Sequence, residues 1–321
     1  MKAIRMHAKG GPELLRYEDA PEPAVEPGDA LVRVMASAIT STELTWDETY
    51  HACDGSPRIP TIIGHEFSGV VQSVAPGVTV VRPGEEVYGL CSFCRNGSAA
   101  EFVAVEAGGL APKPKSLDHL KAASVPLAAL TAWQAFFEQA SLGSGQRVLI
   151  HSAAGGVGIF AVQLAAWKGA HVIATASARN HEFLRELGPD ELIDYNKEQF
   201  EDRVSDVDIV LDTMGGETRE HSWGVLKRGG TIISIQSPPP AGKAEARGVR
   251  GVFFIVEPNR LQLMEIGNMI DTGKLKTHLD LVLPLEQARQ AFEHALKGHA
   301  RGKIVLRVKA DAAVDALGER K

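Results

Sequence analysis

The 321-residue sequence predicts an α/β protein of two parts, a β-rich domain and a doubly wound parallel sheet. Three observations predict it. The first third consists of short β-like runs broken by Gly and Pro, the middle alternates strand and helix patterns, and a glycine-rich turn stands where that alternation begins. The length suits two domains, each able to bury its own core.

From Met1 to about Leu120 the β-like runs include Ala30–Met35, Phe67–Val74 and Glu101–Val105. Turn signals separate them at Glu26-Pro27-Gly28-Asp29, Ala75-Pro76-Gly77 and Arg82-Pro83-Gly84. Short strands with this punctuation predict a small β barrel or sandwich. From about Lys121 the texture changes. Arg147–Ser152 reads as a buried strand, and the helix after it carries Val157, Ala161, Leu164 and Ala165 on one face. Strand His171–Ala176, a helix near Asn180–Leu187 and strands Glu191–Asp194, Val207–Asp212 and Thr231–Gln236 continue the alternation, which implies parallel βαβ units. After Val249–Val256 come a helix at Leu261–Ile270, a run at Leu281–Leu285, an amphipathic helix at Leu285–Leu296 and a last strand, Lys303–Val308. The expected boundaries are 1–121 for the β-rich domain, completed by 271–309, then 122–270 for the nucleotide domain and a polar tail at 310–321.

Composition narrows the class. With 44% hydrophobic and 23% charged residues the chain reads as an ordinary soluble protein. A net charge of −6 provides no general attraction for nucleic acid. No run of about 18 apolar residues predicts a membrane span, and the N-terminus lacks the apolar region of a signal peptide. Three cysteines, Cys53, Cys91 and Cys94, are an odd, small set that fits a reducing compartment better than a disulfide framework. The expectation is a cytoplasmic protein.

The sharpest motif is Ala153-Ala154-Gly155-Gly156-Val157-Gly158, between a strand and a helix. A dinucleotide pyrophosphate needs bare amides at a helix N-terminus, where the peptide dipoles favour an anion. Gly155 lets the backbone approach the phosphates, and Gly158 lets helix and strand lie close. Ala153 stands in place of the usual first glycine, which a tight turn tolerates if its φ stays negative. About 20 residues on, an NAD enzyme places an acid for the ribose hydroxyl. Here His171 to Asn180 holds no acid, while Ser177 and Arg179 can bond a 2′-phosphate. NADPH is therefore the expected cofactor.

With these residues in view, the chain resembles the medium-chain dehydrogenase/reductases, in their zinc-independent quinone oxidoreductase-like branch. The resemblance rests on Gly64-His65-Glu66-Phe67-Ser68-Gly69, on Val81 to Gly89, on Leu130-Thr131-Ala132-Trp133, on His151 to Gly158 and on Arg301 to Leu306. It implies a GroES-like β domain, a Rossmann domain and a cleft between them for nicotinamide and substrate. It also implies that Thr131 packs on the nicotinamide, that Tyr195 helps hold the 2′-phosphate, that Ser234 to Gln236 border the nicotinamide ribose, and that Lys303 reaches the cleft. The zinc-dependent branch uses a Cys, the His of its Gly-His-Glu motif and a further Cys. The matching positions here are Thr40, His65 and Leu127, which leave one imidazole, too few ligands for a catalytic zinc. Such a histidine is expected to be a hydrogen-bonded buried residue. Cys91 and Cys94 have metal-ligand spacing but no second pair, so they are expected to be packing residues.

Without a Lewis acid, removing hydride from a simple alcohol is difficult, whereas an enone or quinone delocalises the charge that hydride addition creates. The expected function is NADPH-dependent reduction of quinones or enones. Thr42 and Tyr50 are the candidate hydrogen-bonding groups and Trp46 the candidate pocket wall. Two alternatives stand beside it, an enoyl-thioester or other carbonyl reductase and a non-catalytic NADPH-binding module. The apolar run Val252–Val256 reads as a sheet edge that pairs with a second copy, giving a homodimer.

Overall fold

The computed structural model describes residues 1–298 and 300–309, so the expected polar tail lies outside the described residues. The chain divides into two compact units, Met1–Leu127 with Glu257–Thr272 and His278–Lys321, and Ala128–Val256 with Gly273–Thr277.

In the first unit the long strand Asp29–Ile39 is the spine. It pairs antiparallel with Glu66–Val74 and Phe102–Glu106, and its far end pairs antiparallel with the C-terminal strand Lys303–Arg307. The reason lies in its side chains. Ala30, Val32 and Val34 join Phe67, Val71, Val87 and Val103 in one core cluster. Ile39, at the other end, joins Ile4, Met6, Leu44, Tyr50, Phe292 and Ile304 in a second. One strand thus serves two cores, and its end carries Thr40 to the candidate site. Gly69 is required by close approach, because a Cβ there would lie 2.3 Å from the carbonyl oxygen of Arg33. A small sheet of Lys2–Met6, Leu15–Asp19 and Thr61–Ile62 was not legible in the sequence.

The helix expected at Leu261–Ile270 spans Arg260–Asp271, and it belongs to this β-rich unit, not to the nucleotide domain as the boundary at 270 implied. Tyr88 donates its hydroxyl to the carbonyl of Leu263, and Asp271 accepts the amides of Lys115 and Ser116 at 3.1 and 2.9 Å. These partners are far off in sequence, and helical periodicity cannot show them.

The second unit is a six-stranded, wholly parallel sheet. Its spatial order is Glu191–Ile193, His171–Thr175, Arg147–Ile150, Val207–Asp212, Leu226–Ser234 and Arg250–Phe253. Numbered along the chain, that is 3-2-1-4-5-6, the doubly wound order whose reversal point lies beside the first strand. Val148–Ile150 and Val172–Ala174 are fully buried, as strands covered on both faces must be. The first part is a GroES-like domain and the second a Rossmann-like parallel sheet.

Candidate functional site

The glycine turn follows the first Rossmann strand and leads into the helix Gly156–Trp167. Gly155 is the N-cap and no side chain caps this helix end, so its first amides are left to an anionic partner. Ala153 keeps a negative φ; the left-handed residue of the turn is Ser152, at φ 51°. Gly158 is demanded by packing, since a Cβ would sit 2.4 Å from the carbonyl oxygen of Ser152 and 2.6 Å from that of Ala153. Ala154 is buried, while Gly155, Gly156 and Val157 are half-buried at the mouth of the turn. A bare helix terminus in a backbone cradle too tight for side chains fits a dinucleotide pyrophosphate.

At the end of the second strand, parallel pairing sets Thr175 opposite Ile193, which brings Ser177 and Tyr195 to equivalent places. The Ser177 hydroxyl accepts from the Asn180 amide at 3.3 Å, Arg179 is exposed, and Tyr195 is half in solvent. An acid that the sequence reading did not weigh, Asp194, lies next to them. Burial pushes its carboxyl up, but the amides of Asn196 and Ala178 and the Asn196 side chain outweigh that and hold it below the usual range. Those donors come from its own turn and from the turn after the second strand.

Other expected residues are placed differently. Ser234 is fully buried and donates to Asp212 at 2.9 Å, so its hydroxyl is turned inward and not toward a ribose. Gln236 donates to the carbonyl of Thr213. Thr131 is buried in the helix Pro126–Trp133, which runs on into a wider π-helical stretch, Gln134–Gln139. Tyr50 is 2% exposed, and its hydroxyl donates to the carbonyl of Leu44 at 2.7 Å. That makes it a core residue, which corrects the expectation of a catalytic hydroxyl; Met6 and Leu44 close around it in the same cluster. Thr42 is half-buried at the head of the short turn Glu43–Thr45.

Lys303 is 5% exposed, and its ammonium pairs with Glu66 at 2.6 Å while donating to the carbonyl of Ile39 at 2.8 Å. It also reaches Thr40 Oγ1 at 3.4 Å. A lysine so engaged is a buried counter-ion and does not present its charge to a cofactor, which corrects the expected role. Around it a polar network binds distant segments. Glu66 accepts the Leu127 amide at 2.9 Å, and Glu43 accepts the amides of Gly64 and Thr40 at 2.9 and 3.3 Å. Burial pushes the Glu43 carboxyl up to about 7, against the pull of those amides and of Lys303. Glu66 was visible as part of a motif. Glu43 carried no signal, because only the fold brings it beneath Gly64.

Threading through this network are the three positions where related dehydrogenases hold zinc. Thr40 is tied to Lys303, Leu127 contributes its amide, and among the described residues His65 has no hydrogen-bond partner on either ring nitrogen, contrary to expectation. Its imidazole forms a three-ring cluster with Trp46 and Phe93, the centroids lying 5.9 Å (His65 to Trp46), 4.8 Å (His65 to Phe93) and 5.6 Å (Trp46 to Phe93) apart. Burial and the nearby Arg58 charge hold the His65 pKa down at about 3, so the ring is neutral. This donor set does not fit a zinc ion. Among the described residues, no three His, Cys, Asp or Glu side chains gather as a metal would require. Cys94 is bonded to Cys53, 41 residues away, which overturns the reading of Cys94 as a packing residue of a reduced set. Arg58 explains the juxtaposition, for it donates to the carbonyls of Glu48, Thr49 and Phe93 and so draws the two loops together. Cys91 stays a buried free thiol, pushed up to about 12 by burial.

Two family models match the chain. Residues 26–115 match the alcohol dehydrogenase GroES-like domain, and residues 187–306 match the zinc-binding dehydrogenase domain. A mouse mitochondrial NAD(P)H oxidoreductase is 31% identical over 88% of this chain and 82% of its own. An Arabidopsis thaliana chloroplastic NADPH-dependent alkenal/one oxidoreductase is 32% identical over 95% of this chain and 79% of its own. The solved quinone oxidoreductase of Coxiella burnetii is 33% identical, with a TM-score of 0.87 over 96% of this chain and 99% of that one.

Proposed function

We propose that this chain, which belongs to the medium-chain dehydrogenase/reductase superfamily, is an NADPH-dependent reductase of quinones or enones that works without zinc. The observation that carries the reading is the glycine turn at the uncapped head of the helix Gly156–Trp167, at the reversal point of a 3-2-1-4-5-6 sheet. The turn takes the pyrophosphate, and Ser177, Arg179 and Tyr195 take the 2′-phosphate. Bound NADPH supplies a hydride. The zinc-less reading is supported by Thr40 and Leu127, and it favours substrates whose own carbonyl takes up the negative charge. Thr42 remains the hydroxyl for that side; Tyr50 does not.

The test is NADPH oxidation against a panel of quinones, enones and enoyl thioesters, with and without a strong chelator. Quinone or enone turnover that survives chelation is expected. One equivalent of zinc whose removal abolishes turnover would show the ligands to be misplaced.

Cofactor choice has its own test. A hydrogen bond to a charged group contributes about 1.5–3 kcal/mol, or roughly one to two decades of affinity at about 1.4 kcal/mol per decade. Arg179→Ala is expected to weaken NADPH by that order and to leave NADH nearly unchanged. The effect shrinks as salt rises, because the arginine is exposed. Equal losses for both cofactors sink the assignment.

Assembly is the third part. Arg250–Phe253 is an edge strand of the parallel sheet, with Phe253 and Ile255 36% and 50% exposed. Pairing with a second copy about a two-fold axis covers such an edge. Sedimentation is expected to show a dimer at micromolar concentration, and a monomer alone refutes it. Among the described residues no helix is long and apolar enough to cross a membrane. On location the relatives pull away from the cytoplasm, since the mouse and Arabidopsis proteins are named for the mitochondrion and chloroplast.

A further inference from the structure

We infer that His65 donates a hydrogen bond to the carbonyl oxygen of the substrate. The inference rests on the reading of the protein as a quinone or enone reductase.

His65 is 1% exposed, and neither ring nitrogen has a hydrogen-bond partner among the described residues. Leaving a buried polar group unpaired is costly. Packing alone gives no reason to bear that cost, because a phenyl ring fills the same space beside Trp46 and Phe93. The missing partner therefore comes from outside the chain. Since the ring is neutral, it offers one N–H and one lone pair and has no positive charge with which to protonate its ligand. A zinc ion is a poor match, for Thr40 and Leu127, at the other two positions where related dehydrogenases hold zinc, supply no second strong ligand. A flat carbonyl compound matches on two counts: its oxygen accepts one N–H, and its ring suits aromatic walls.

Trp46 and Phe93 are both half-buried, so the ring cluster that encloses the imidazole reaches the surface.

The step balances without a proton change on His65. Hydride adds to the carbon β to the carbonyl, and the C=C electron pair shifts toward oxygen. The resulting enolate oxygen accepts the His65 N–H, and the α-carbon then takes a proton from water. One enone, one NADPH and one proton give one saturated ketone and one NADP⁺.

His65→Phe keeps the packing and removes the donor. For an enone the wild type reduces, kcat/KM is expected to fall about 100-fold, the scale of losing one oxyanion donor, chiefly in kcat. Affinity for NADPH stays the same, and the melting temperature stays level or rises because an unpaired polar group is gone. His65→Gln, which restores an N–H, recovers part of the rate. A purely structural histidine predicts the opposite order, an active Phe variant and a weaker Gln variant. A second readout needs no turnover. In the NADP⁺ complex, the His65 ring-nitrogen resonances are expected to shift when cyclohexenone or benzoquinone is added. Full kcat/KM in His65→Phe, or resonances that stay put with every carbonyl the wild type reduces, overturns the inference. A wild type that reduces no member of the panel overturns the proposed function and this inference with it, and is told apart by the inactive parent.

Discussion

Gly155→Val is expected to leave a folded protein that no longer binds NADPH, with affinity down by at least about 100-fold, or about 2.8 kcal/mol at about 1.4 kcal/mol per decade. Gly155 is at φ −77°, which any residue adopts, so the substitution does not force the backbone into a forbidden region. Its Cβ would meet Ser152 Oγ at 3.1 Å and the Ser152 carbonyl oxygen at 3.2 Å, a crowding that the turn can relieve by a few tenths of an ångström. The two methyl groups beyond that Cβ then stand over the helix amides where the pyrophosphate approaches. Gly158→Val is the contrast. Its Cβ would be 2.4 Å from one backbone carbonyl and 2.6 Å from another, neither of which can move without parting helix from strand. Overpacking of this kind costs about 1–3 kcal/mol, and more where the backbone is fixed. Fluorescence titration and a thermal melt separate the two variants. The first loses binding and keeps its transition, whereas the second melts early. Unchanged affinity in a folded Gly155→Val would mean that the turn is only a packing feature.

Lys303→Met is expected to destabilise the β-rich unit by about 3–5 kcal/mol, the usual loss when one partner of a buried ion pair is removed. Glu66 is 1% exposed and would lose its counter-ion at 2.6 Å, and the carbonyl of Ile39 would lose a donor. The second substitution Glu66→Gln, made in the same chain, is expected to restore most of the stability. It removes the stranded charge and keeps an acceptor for the Leu127 amide. Denaturant unfolding of the wild type, the single variant and the double variant measures this directly. If Lys303→Met keeps its stability but loses NADPH affinity, the lysine serves the cofactor as the family resemblance implied. The buried-pair account then fails.

Much of the architecture could be read along the chain because it is written in local chemistry. Parallel strands covered on both faces must be runs of Val and Ile, and Val148–Ile150, Val172–Ala174 and Val207–Asp212 announce themselves for that reason. The glycine turn was legible because backbone approach to a phosphate excludes side chains at fixed spacing, and Gly158 is held to that by the carbonyls of Ser152 and Ala153. Absence was legible too: no acid lies between His171 and Asn180.

What the tertiary structure decided was the state of each polar side chain. Tyr50 reads as a reactive hydroxyl in a polar loop, yet its neighbours in space are Met6 and Leu44, so it became core. Lys303 reads as a free charge near a cleft, but Glu66, distant in sequence, claims it. Cys94 reads as a packing residue, but a guanidinium from Arg58 draws its loop to another and it is bonded to Cys53 instead. His65 reads as a satisfied buried histidine, yet among the described residues neither of its ring nitrogens has a hydrogen-bond partner. The physical reason is common to all four. A residue's burial and pairing depend on segments that arrive from elsewhere in the chain, and sequence periodicity reports which face is buried but not which groups meet there.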